Sequence, residues 1–241
     1  MEQREYETLY GVEAEHWWYR ALHKSILHAL TRAFSDQSKI RVLDAGCGTG
    51  LLLQKIRQDA IGIDYSQHAV KFCAQRGLKN ISRASVETLP FSDQSFDAII
   101  SADVLYHKNV ASDHQALKQF HRVLKPDGVI ILNLPAFEFL RSSHDRAIHT
   151  QRRYTKSQLR TIIESAGFKV EKLYYRNSLL FPVVALIRLL RKGKEESESD
   201  VVLPSKLVNA ILTKVLFLDD WLARKIPFPA GISLFCAARR V

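Results

Sequence analysis

Three glycines alternate in one short stretch of this chain, VLDAGCGTG. Asp44 ends the apolar run before them, and Gly46, Gly48 and Gly50 are followed at once by the helical pattern LLLQKI. A glycine turn at the carboxyl edge of a sheet lets a ligand approach backbone that side chains would otherwise block. Asp64 closes the next apolar run, where a carboxylate can accept hydrogen bonds from both hydroxyls of a ribose. This spacing predicts a ribose-bearing cofactor.

A nicotinamide dinucleotide is the main alternative ligand for such a turn. Its fingerprint is G-x-G-x-x-G, whereas the glycines of this chain are strictly alternate. A pyrophosphate is therefore less favoured, and a nicotinamide-dependent oxidoreductase is kept as a rival hypothesis that cofactor titration can test.

The elements that position the turn alternate between short β-branched runs and helical stretches, which is typical of a parallel sheet covered by helices on both faces. Helices are predicted over 69–76, 112–124 and 156–166. The predicted fold class is a doubly wound, Rossmann-like α/β domain with a seven-stranded, mainly parallel sheet. Its strands are predicted in the stretches IRVLDAG, AIGIDYS, NISRAS, FDAIISAD, GVIILNLP, FKVEKLYYR and ISLFCAARR.

A length of 241 residues favours a single domain. We divide it into an amino-terminal helical cover (1–38), a cofactor-binding core (39–177), a helical insert (178–229) and a last strand (230–241). The insert is predicted because the connection between the last two strands is far longer than a hairpin loop. It holds two apolar helical patterns joined by RKGKEESESD, whose composition is typical of a poorly ordered linker.

Composition narrows the class of protein. The chain has 46% hydrophobic and 25% charged residues, which are ordinary globular proportions, and its polar start predicts no secretory signal. The cysteines, three in number and without metal-site spacing, suit a reducing compartment, so a cytoplasmic location is expected. The longest apolar run is far shorter than the roughly 20 residues of a membrane span. The net charge of +10 suits nucleic acid, anionic lipid or an acidic substrate and does not choose among them.

Motifs occur in a fixed order between Ile40 and Pro135, namely VLDAGCGTG, GIDYS, ASVETLPF, FDAIISADVLYH and VLKPDGVIILNLP. This series resembles the motifs of class I S-adenosylmethionine-dependent methyltransferases, specifically the small-molecule type 11 group related to ubiquinone-biosynthesis methyltransferases. The resemblance implies S-adenosyl-L-methionine as cofactor and S-adenosyl-L-homocysteine as product. One pair departs from the family pattern, because Ser85 and Val86 stand where an acidic residue followed by alanine is usual.

The resemblance also implies which residues contact the cofactor. Asp44 and the turn backbone would hold the methionine end, Asp64 the ribose and Tyr65 the adenine face. Similar amino-terminal segments with aromatic residues and an arginine lie across the pocket in a subset of the family, although a core-packing helix is an equal alternative. The expected cofactor contacts are Trp18, Arg20, Asp44, Gly46, Cys47, Gly48, Asp64, Tyr65, Ser85, Val86 and Ala102.

A hydroxyl acceptor must lose a proton when it is methylated, and the protein must align it and exclude water. His107, just beyond the fourth strand, is the first candidate base because the ordinary pKa of histidine lies near neutrality. A packed, hydrogen-bonded histidine is the alternative. The expected catalytic residues are His107, His144 and His149.

The segment HDRAIHTQRRYT after the fifth strand resembles an acceptor-side loop of the same subset of methyltransferases. A solvated helix start is the alternative, and the arginine pair suits a carboxylate or phosphate on the substrate. No metal site is predicted, because the spacing of these histidines matches none. The expected acceptor contacts are Tyr106, Asp145, Arg152, Arg153 and Tyr154.

The second helical pattern of the insert carries an apolar stripe of Leu207, Ile211, Val215, Leu218 and Leu222. Such a stripe ordinarily packs in a core or a dimer. Two sharper hypotheses are an apolar roof over the substrate and a peripheral membrane contact through the 178–226 insert. The second would be aided by the neighbouring cations Arg188, Arg191, Lys192 and Lys194.

The leading hypothesis is a methyltransferase that acts on an oxygen of a small, partly apolar metabolite or a lipid-linked acceptor. Nucleic acid is not the expected partner, because the fourth motif lacks the Asn/Asp-Pro-Pro-aromatic element used around a flipped base. The expected assembly is a monomer or homodimer. A non-catalytic S-adenosylmethionine-binding partner subunit is the second hypothesis.

Overall fold

The computed structural model describes residues 3–56, 60–190 and 202–241, apart from the side chains of Gln37 and His144. The predicted linker RKGKEESESD lies outside the described residues. Within them, seven strands form one sheet. The strands are β1 (Val42–Ala45), β2 (Ile61–Asp64), β3 (Ile81–Arg83), β4 (Phe96–Ala102), β5 (Leu124–Pro135), β6 (Phe168–Arg176) and β7 (Ser233–Arg240).

The strand order is β3-β2-β1-β4-β5-β7-β6. Neighbours among β1 to β5 are parallel, whereas β7 lies antiparallel between β5 and β6. Asp44 at the centre of the sheet pairs with Gly62 of β2 and Ile100 of β4. The glycine turn therefore leaves the sheet where the strand order reverses, which is the point at which ligands of doubly wound folds bind. The prediction of a seven-stranded, mainly parallel α/β fold is confirmed.

Helices cover both faces of the sheet. Local signals fix several of their ends: Thr155 and Gln158 form a capping box at one start, and Ser112 accepts from the Gln115 N–H at another. The helix predicted over 112–124 ends one residue early, because Leu124 already pairs with β4. The helices are α1 (Gln3–Val12), α2 (Trp17–Ala33), α3 (Leu51–Ile56), α4 (Gln67–Gln75), α5 (Asp113–Val123), α6 (Ser143–Ala147), α7 (Lys156–Ser165), α8 (Phe181–Leu190) and α9 (Lys206–Ala223).

The core has one hydrophobic cluster on each face of the sheet. Neighbouring residues of β4 alternate between them, with Ile99 in one cluster and Ile100 in the other. Phe120 of α5 packs in the first cluster, and Leu22 and Ile26 of α2 pack in the second. Because both faces are covered, the strands read as nearly continuous apolar runs.

The insert helix α9 does not pack an apolar face against the sheet as α2 and α5 do. Leu207, Ile211 and Leu218 of α9 are exposed, so the stripe does not pack in the core of the chain. The inward side of α9 is instead mainly polar. No helix in the described ranges is both long and apolar enough to cross a membrane.

Candidate active site

A cavity of about 1480 Å³ opens at the carboxyl edge of the sheet. Its wall includes the glycine turn after β1, the ends of β2 and β4, the amino-terminal helices and part of α8. Thirteen of the predicted site residues line it: Trp18, Asp44, Gly46, Cys47, Gly48, Asp64, Tyr65, Ser85, Val86, Ala102, Tyr106, His107 and Arg153.

Five other predicted site residues do not belong to the described lining of the cavity, namely Arg20, Asp145, His149, Arg152 and Tyr154. His144 lies in α6, and its side chain is outside the described part of the chain. The cavity thus brings together most of the predicted cofactor contacts but only part of the predicted acceptor loop.

The glycine turn requires glycine for two different reasons. Gly46 has a φ of +97°, and a Cβ on it would lie 2.1 Å from the Val104 side chain. Gly48 has a φ of +55°, but a Cβ there would meet no atom of the protein within 4 Å. Gly46 therefore permits the turn itself, whereas Gly48 leaves an open cradle beside the cavity.

The N–H groups of the turn are already engaged within the protein. Gly46 and Cys47 both donate to the carbonyl of Ile63, at 2.8 and 2.9 Å. Gly48 donates to Asp64 Oδ2 at 3.0 Å. A phosphate-binding glycine turn presents such donors to its ligand. Their internal use disfavours a pyrophosphate and with it the dinucleotide hypothesis.

Asp64 holds the turn and also faces the cavity. Its two oxygens accept from the N–H groups of Gly48 and Ser66, at 3.0 and 2.8 Å. The Tyr6 hydroxyl from α1 donates to Asp64 Oδ1 at 3.5 Å. Burial raises the pKa of Asp64. A carboxylate has about four acceptor directions, so these three donors leave about one direction, on Oδ2, for a ribose hydroxyl.

Asp44 is a second carboxylate in the cavity wall and is only 2% exposed. Burial, and after it the charge of Asp64, raises the pKa of Asp44 to about 7. A cation in the cavity would favour the ionised form of Asp44. This environment fits the α-amino group of a methionine moiety.

The predicted adenine side of the cavity carries Tyr65, Ser85 and Val86. Tyr65 is exposed, with the Arg83 guanidinium 5.8 Å from its ring centroid. The nearest carboxylate in sequence, Glu87, accepts the N–H groups of Ala111 and Ser112 at the start of α5. Glu87 thus holds the start of α5.

The amino-terminal segment is tied to the glycine turn. The Glu13 carboxylate is buried and accepts from the Thr49 hydroxyl and from the Arg76 guanidinium. Arg76 Nε also donates to the Thr49 carbonyl at 2.8 Å. Trp18 lines the cavity, whereas Arg20 is on the exposed side of α2, away from the lining. Since α2 also packs in the core, it serves both as cover and as core helix.

Asp103 is a cavity residue that the sequence reasoning did not single out. It follows β4 with a φ of +59°, and Asn133 Nδ2 of β5 donates to its Oδ1 at 2.9 Å. Burial raises the pKa of Asp103 to about 6, although the Asn133 hydrogen bond and nearby arginines oppose the increase. The ending of the predicted strand FDAIISAD in an acidic residue was a signal that could have identified it.

A buried polar chain supports Asp103 from behind. Arg176 Nη1 of β6 donates to Asn133 Oδ1 at 3.0 Å. Arg176 Nε lies 3.5 Å from Asp220 Oδ1 of α9, and both side chains are almost fully buried. Two strands and one insert helix therefore fix the orientation of the Asp103 carboxylate.

His107 lines the cavity in a neutral form. Its Nδ1 accepts from the Asn109 N–H at 3.1 Å, which assigns the proton of the neutral ring to Nε2. Burial lowers the pKa of His107 to about 4. The His149 ring lies 5.8 Å from the His107 ring, outside the cavity lining. This geometry suits a hydrogen-bond donor at Nε2 and favours the packed-histidine alternative over a general base.

The acceptor-side loop is held together by its own polar residues. Arg153 Nε and Nη2 donate to the two oxygens of Asp145 at 2.9 and 3.0 Å. Although burial opposes it, this guanidinium lowers the pKa of Asp145. Tyr154 donates to Asp113 at 2.9 Å, and Arg152 lies 3.7 Å from the same carboxylate. These contacts fix the loop, and Arg153 alone of the four loop residues also lines the cavity.

Comparisons with known proteins match the central part of the chain. Residues 43–132 match a family model described as a methyltransferase domain. Uncharacterized protein MJ1252 of Methanocaldococcus jannaschii is 42% identical over 94 residues, which cover 39% of this chain and 36% of that protein. Arginine-hydroxylase NDUFAF5, mitochondrial, of Rattus norvegicus is 35% identical over 94 residues, which cover 37% of this chain and 27% of that protein. The match spans well under two thirds of either relative.

A solved structure matches nearly the whole chain. The crystal structure of an S-adenosylmethionine-dependent methyltransferase from Thermotoga maritima, described as a possible histamine N-methyltransferase, has a TM-score of 0.62 at 18% identity. The alignment covers 99% of this chain and 96% of that one. The chain has the class I methyltransferase fold, and the predicted resemblance is confirmed. The matched domain model and the fold imply S-adenosylmethionine as the cofactor, and the buried Asp44, the open cradle at Gly48 and Asp64 fit it.

Proposed function

We propose that this chain transfers a methyl group from S-adenosylmethionine to an oxygen atom of a small, partly apolar or lipid-linked acceptor. One observation carries the proposal: a single cavity joins the cofactor-side carboxylates Asp44 and Asp64 to the half-buried carboxylate of Asp103. When bound, the cofactor supplies an electrophilic methyl group on a sulfonium centre.

Asp103 is the proposed proton acceptor. An alcohol or phenol is a weak nucleophile until its proton leaves, and a carboxylate with a raised pKa is a stronger base than an ordinary one. The pKa of Asp103 near 6 keeps most of it ionised at neutral pH. Asn133 holds one of its oxygens. The hydroxyl proton of the acceptor goes to Asp103.

Other residues position the acceptor and keep water away. His107 is proposed to donate from Nε2, and Tyr106 and Trp18 supply aromatic surface in the same cavity. Glu13 ties the amino-terminal cover to the glycine turn, and this closes one side of the site. Alignment and water exclusion account for most of what a protein contributes to such a displacement.

Two rival functions use the same cofactor domain differently. A non-catalytic partner subunit would bind S-adenosylmethionine without turnover. The name of the matched arginine-hydroxylase assigns hydroxylation to that relative, so a shared central segment does not fix the reaction. The carboxylate at the acceptor side of the cavity is what favours proton removal from a hydroxyl.

A cytoplasmic, reducing compartment is part of the proposal. Cys47, Cys73 and Cys236 are free and buried in the structure. The sulfurs of Cys47 and Cys73 are 3.8 Å apart beside the glycine turn. Reducing conditions would keep this pair as thiols.

Calorimetry separates the candidate functions. We expect S-adenosylmethionine and S-adenosylhomocysteine to bind and NAD not to bind. Release of S-adenosylhomocysteine should follow addition of hydroxyl-bearing aromatic or isoprenoid compounds. Cofactor binding without product release in any hydroxyl-bearing or amine compound would favour the partner-subunit hypothesis, and release with amines alone would move the reaction from oxygen to nitrogen.

Asp64→Ala is expected to weaken S-adenosylmethionine binding by about 1–3 kcal/mol, because a charge-assisted hydrogen bond to the ribose is lost. Calorimetric titration measures the dissociation constant. Asp93→Ala is the matched control, since Asp93 is an exposed carboxylate that pairs with Arg122 outside the cavity. Wild-type affinity in Asp64→Ala would remove the ribose assignment.

Asp44→Asn is expected to stabilise the cofactor-free protein at pH 7.5 while weakening cofactor binding. The folded-state pKa of Asp44, about 7, lies above its ordinary value of 3.8. The folded state therefore binds more protons than the unfolded state between these values, and wild-type stability from this group falls as pH rises.

Urea unfolding at pH 5 and pH 7.5 measures the effect of Asp44. The difference between variant and wild type isolates Asp44 from the other titrating groups. The free energy of unfolding of Asp44→Asn should exceed that of the wild type by more at pH 7.5 than at pH 5. An equal difference at both pH values would contradict the assignment of a raised pKa.

A further inference from the structure

Helix α9 is amphipathic in the reverse sense to an ordinary surface helix. Its buried residues include Asn209, Thr213, Asp219 and Asp220, whereas Leu207 is 73% exposed and Leu218 is 51% exposed. Residues at helical spacing form one exposed stripe, which we call the α9 outer face. The α9 outer face consists of Leu207, Ile211, Lys214, Leu218 and Trp221 of the helix, with Lys225 in the turn that follows it.

Hydrogen bonds explain how α9 stays docked with its polar side inward. Asn209 accepts from the Trp17 N–H at 3.0 Å and donates to the Glu15 carbonyl at 2.9 Å. Asp219 accepts from the N–H groups of Asn177 and Leu179, both at 2.7 Å. The helix is therefore positioned by these polar contacts together with the buried Leu216 and Ala223, and the exposed apolar residues take no part in its attachment.

The acidic residues of the helix lie on its buried side, and the exposed lysines lie on its outer side. The two acidic residues of α9, Asp219 and Asp220, are buried, whereas Lys214 and Lys225 are exposed on the α9 outer face. Lys225 lies 4.0 Å from the centroid of the Trp221 ring. The face thus presents leucine, isoleucine and tryptophan with lysines and no acidic residue.

We propose that the α9 outer face binds the surface of an anionic lipid bilayer. Apolar and tryptophan side chains enter the boundary between headgroups and acyl chains, while lysines reach the anionic headgroups. A two-fold contact between copies of the chain fits less well, because it would bring the lysines of both faces together without an acidic residue of the face to pair with them.

The cations that the structure places near the proposed membrane contact differ from those expected from the sequence. Arg188 donates to the Leu140 carbonyl at 2.7 Å, and its side chain is only 16% exposed. Arg191, Lys192 and Lys194 are outside the described residues. Lys214 and Lys225 carry the proposal instead, since Lys214 lies on α9 and Lys225 lies in the turn after it, beside exposed apolar residues.

The cavity adjoins the same insert. Val184 and Ile187 of α8 line the cavity, as does Val202 just before α9. If the proposed function holds, a lipid-linked acceptor would enter the cavity beside these apolar residues of the insert. Lipid binding is tested in the absence of methyl donor and acceptor. A negative result for lipid binding therefore does not contradict the proposed methyl transfer, and a negative result for methyl transfer does not contradict lipid binding.

Co-sedimentation of the full chain with vesicles tests the proposal. We expect binding to vesicles of phosphatidylcholine with about a third phosphatidylglycerol, and at least roughly tenfold weaker binding to pure phosphatidylcholine. Leu218→Glu and Ile211→Glu should each weaken binding to the anionic vesicles about tenfold or more. Val241→Glu is the matched control, since Val241 is a 78% exposed apolar residue on no part of α9.

Charge is tested with a second pair of variants. Lys214→Glu combined with Lys225→Glu should weaken binding to the anionic vesicles, whereas Lys118→Glu combined with Lys169→Glu, at exposed positions on α5 and β6, should not. Circular dichroism and thermal unfolding confirm that each variant is folded. Absence of vesicle binding by the wild type, equal binding by Leu218→Glu, or a dimer seen by light scattering that Leu218→Glu dissolves without any vesicle binding would each overturn the proposal.

Discussion

Gly46→Val is expected to abolish measurable binding of S-adenosylmethionine. The added Cβ would overlap the Val104 side chain, 2.1 Å away, and a φ of +97° is not accessible to a β-branched residue without strain. Backbone strain of this kind costs roughly 1–3 kcal/mol, and the overlap adds to it. Affinity should therefore fall by more than about 100-fold, measured by calorimetry.

Gly77→Val provides the control for Gly46→Val. Gly77 has a φ of +76°, so the substitution strains the backbone, but a Cβ there would meet no atom within 4 Å. We expect a lower melting temperature in Gly77→Val with cofactor affinity close to wild type. Retained affinity in a folded Gly46→Val protein would show that the turn is not the cofactor cradle.

Asp103→Asn is expected to lower kcat by about 100-fold or more at neutral pH, because general-base assistance typically contributes at least that factor. The amide keeps the size of the side chain and can still accept the hydrogen bond from Asn133, so cofactor affinity should change little. Turnover with a hydroxyl acceptor and calorimetry measure the two effects separately.

The dependence of rate on pH assigns the base. The pKa of Asp103 is about 6, and a base loses its function as pH falls through that value. The wild-type rate should therefore rise with pH at or below about pH 6, since a cofactor cation would lower this pKa further. The rise should vanish in Asp103→Asn and persist in His107→Ala. Loss of the rise in His107→Ala alone would identify His107 as the base instead.

The candidate site could be predicted from the sequence where its parts are contiguous. Asp44, the glycine turn and Asp64 each follow directly from a strand end, and parallel strands bring such ends to one edge of the sheet. Asp103 obeys the same rule. What the sequence does not show is that Asn133 and Arg176, far apart in the chain, hold its carboxylate.

Side-chain partners explain where sequence reasoning about the acceptor loop was incomplete. Arg153 and Arg152 suit an anionic substrate by type, but the fold places Asp145 and Asp113 against them. His107 has an ordinary histidine pKa by type, but burial lowers that pKa to about 4. Such effects arise from contacts between segments that are distant in the sequence, and residue types and spacing do not indicate these contacts.

The sequence by itself determined the strands, the glycine turn and the fold class, because periodicity and glycine spacing act over a few residues. The tertiary structure alone decided that β7 lies antiparallel between β5 and β6, and that α9 turns its apolar side outward. Sequence periodicity predicts that a helix has one apolar face and one polar face. Which face meets the protein depends on the partners available there, and for α9 these are the hydrogen-bonding groups of Trp17, Asn177 and Leu179.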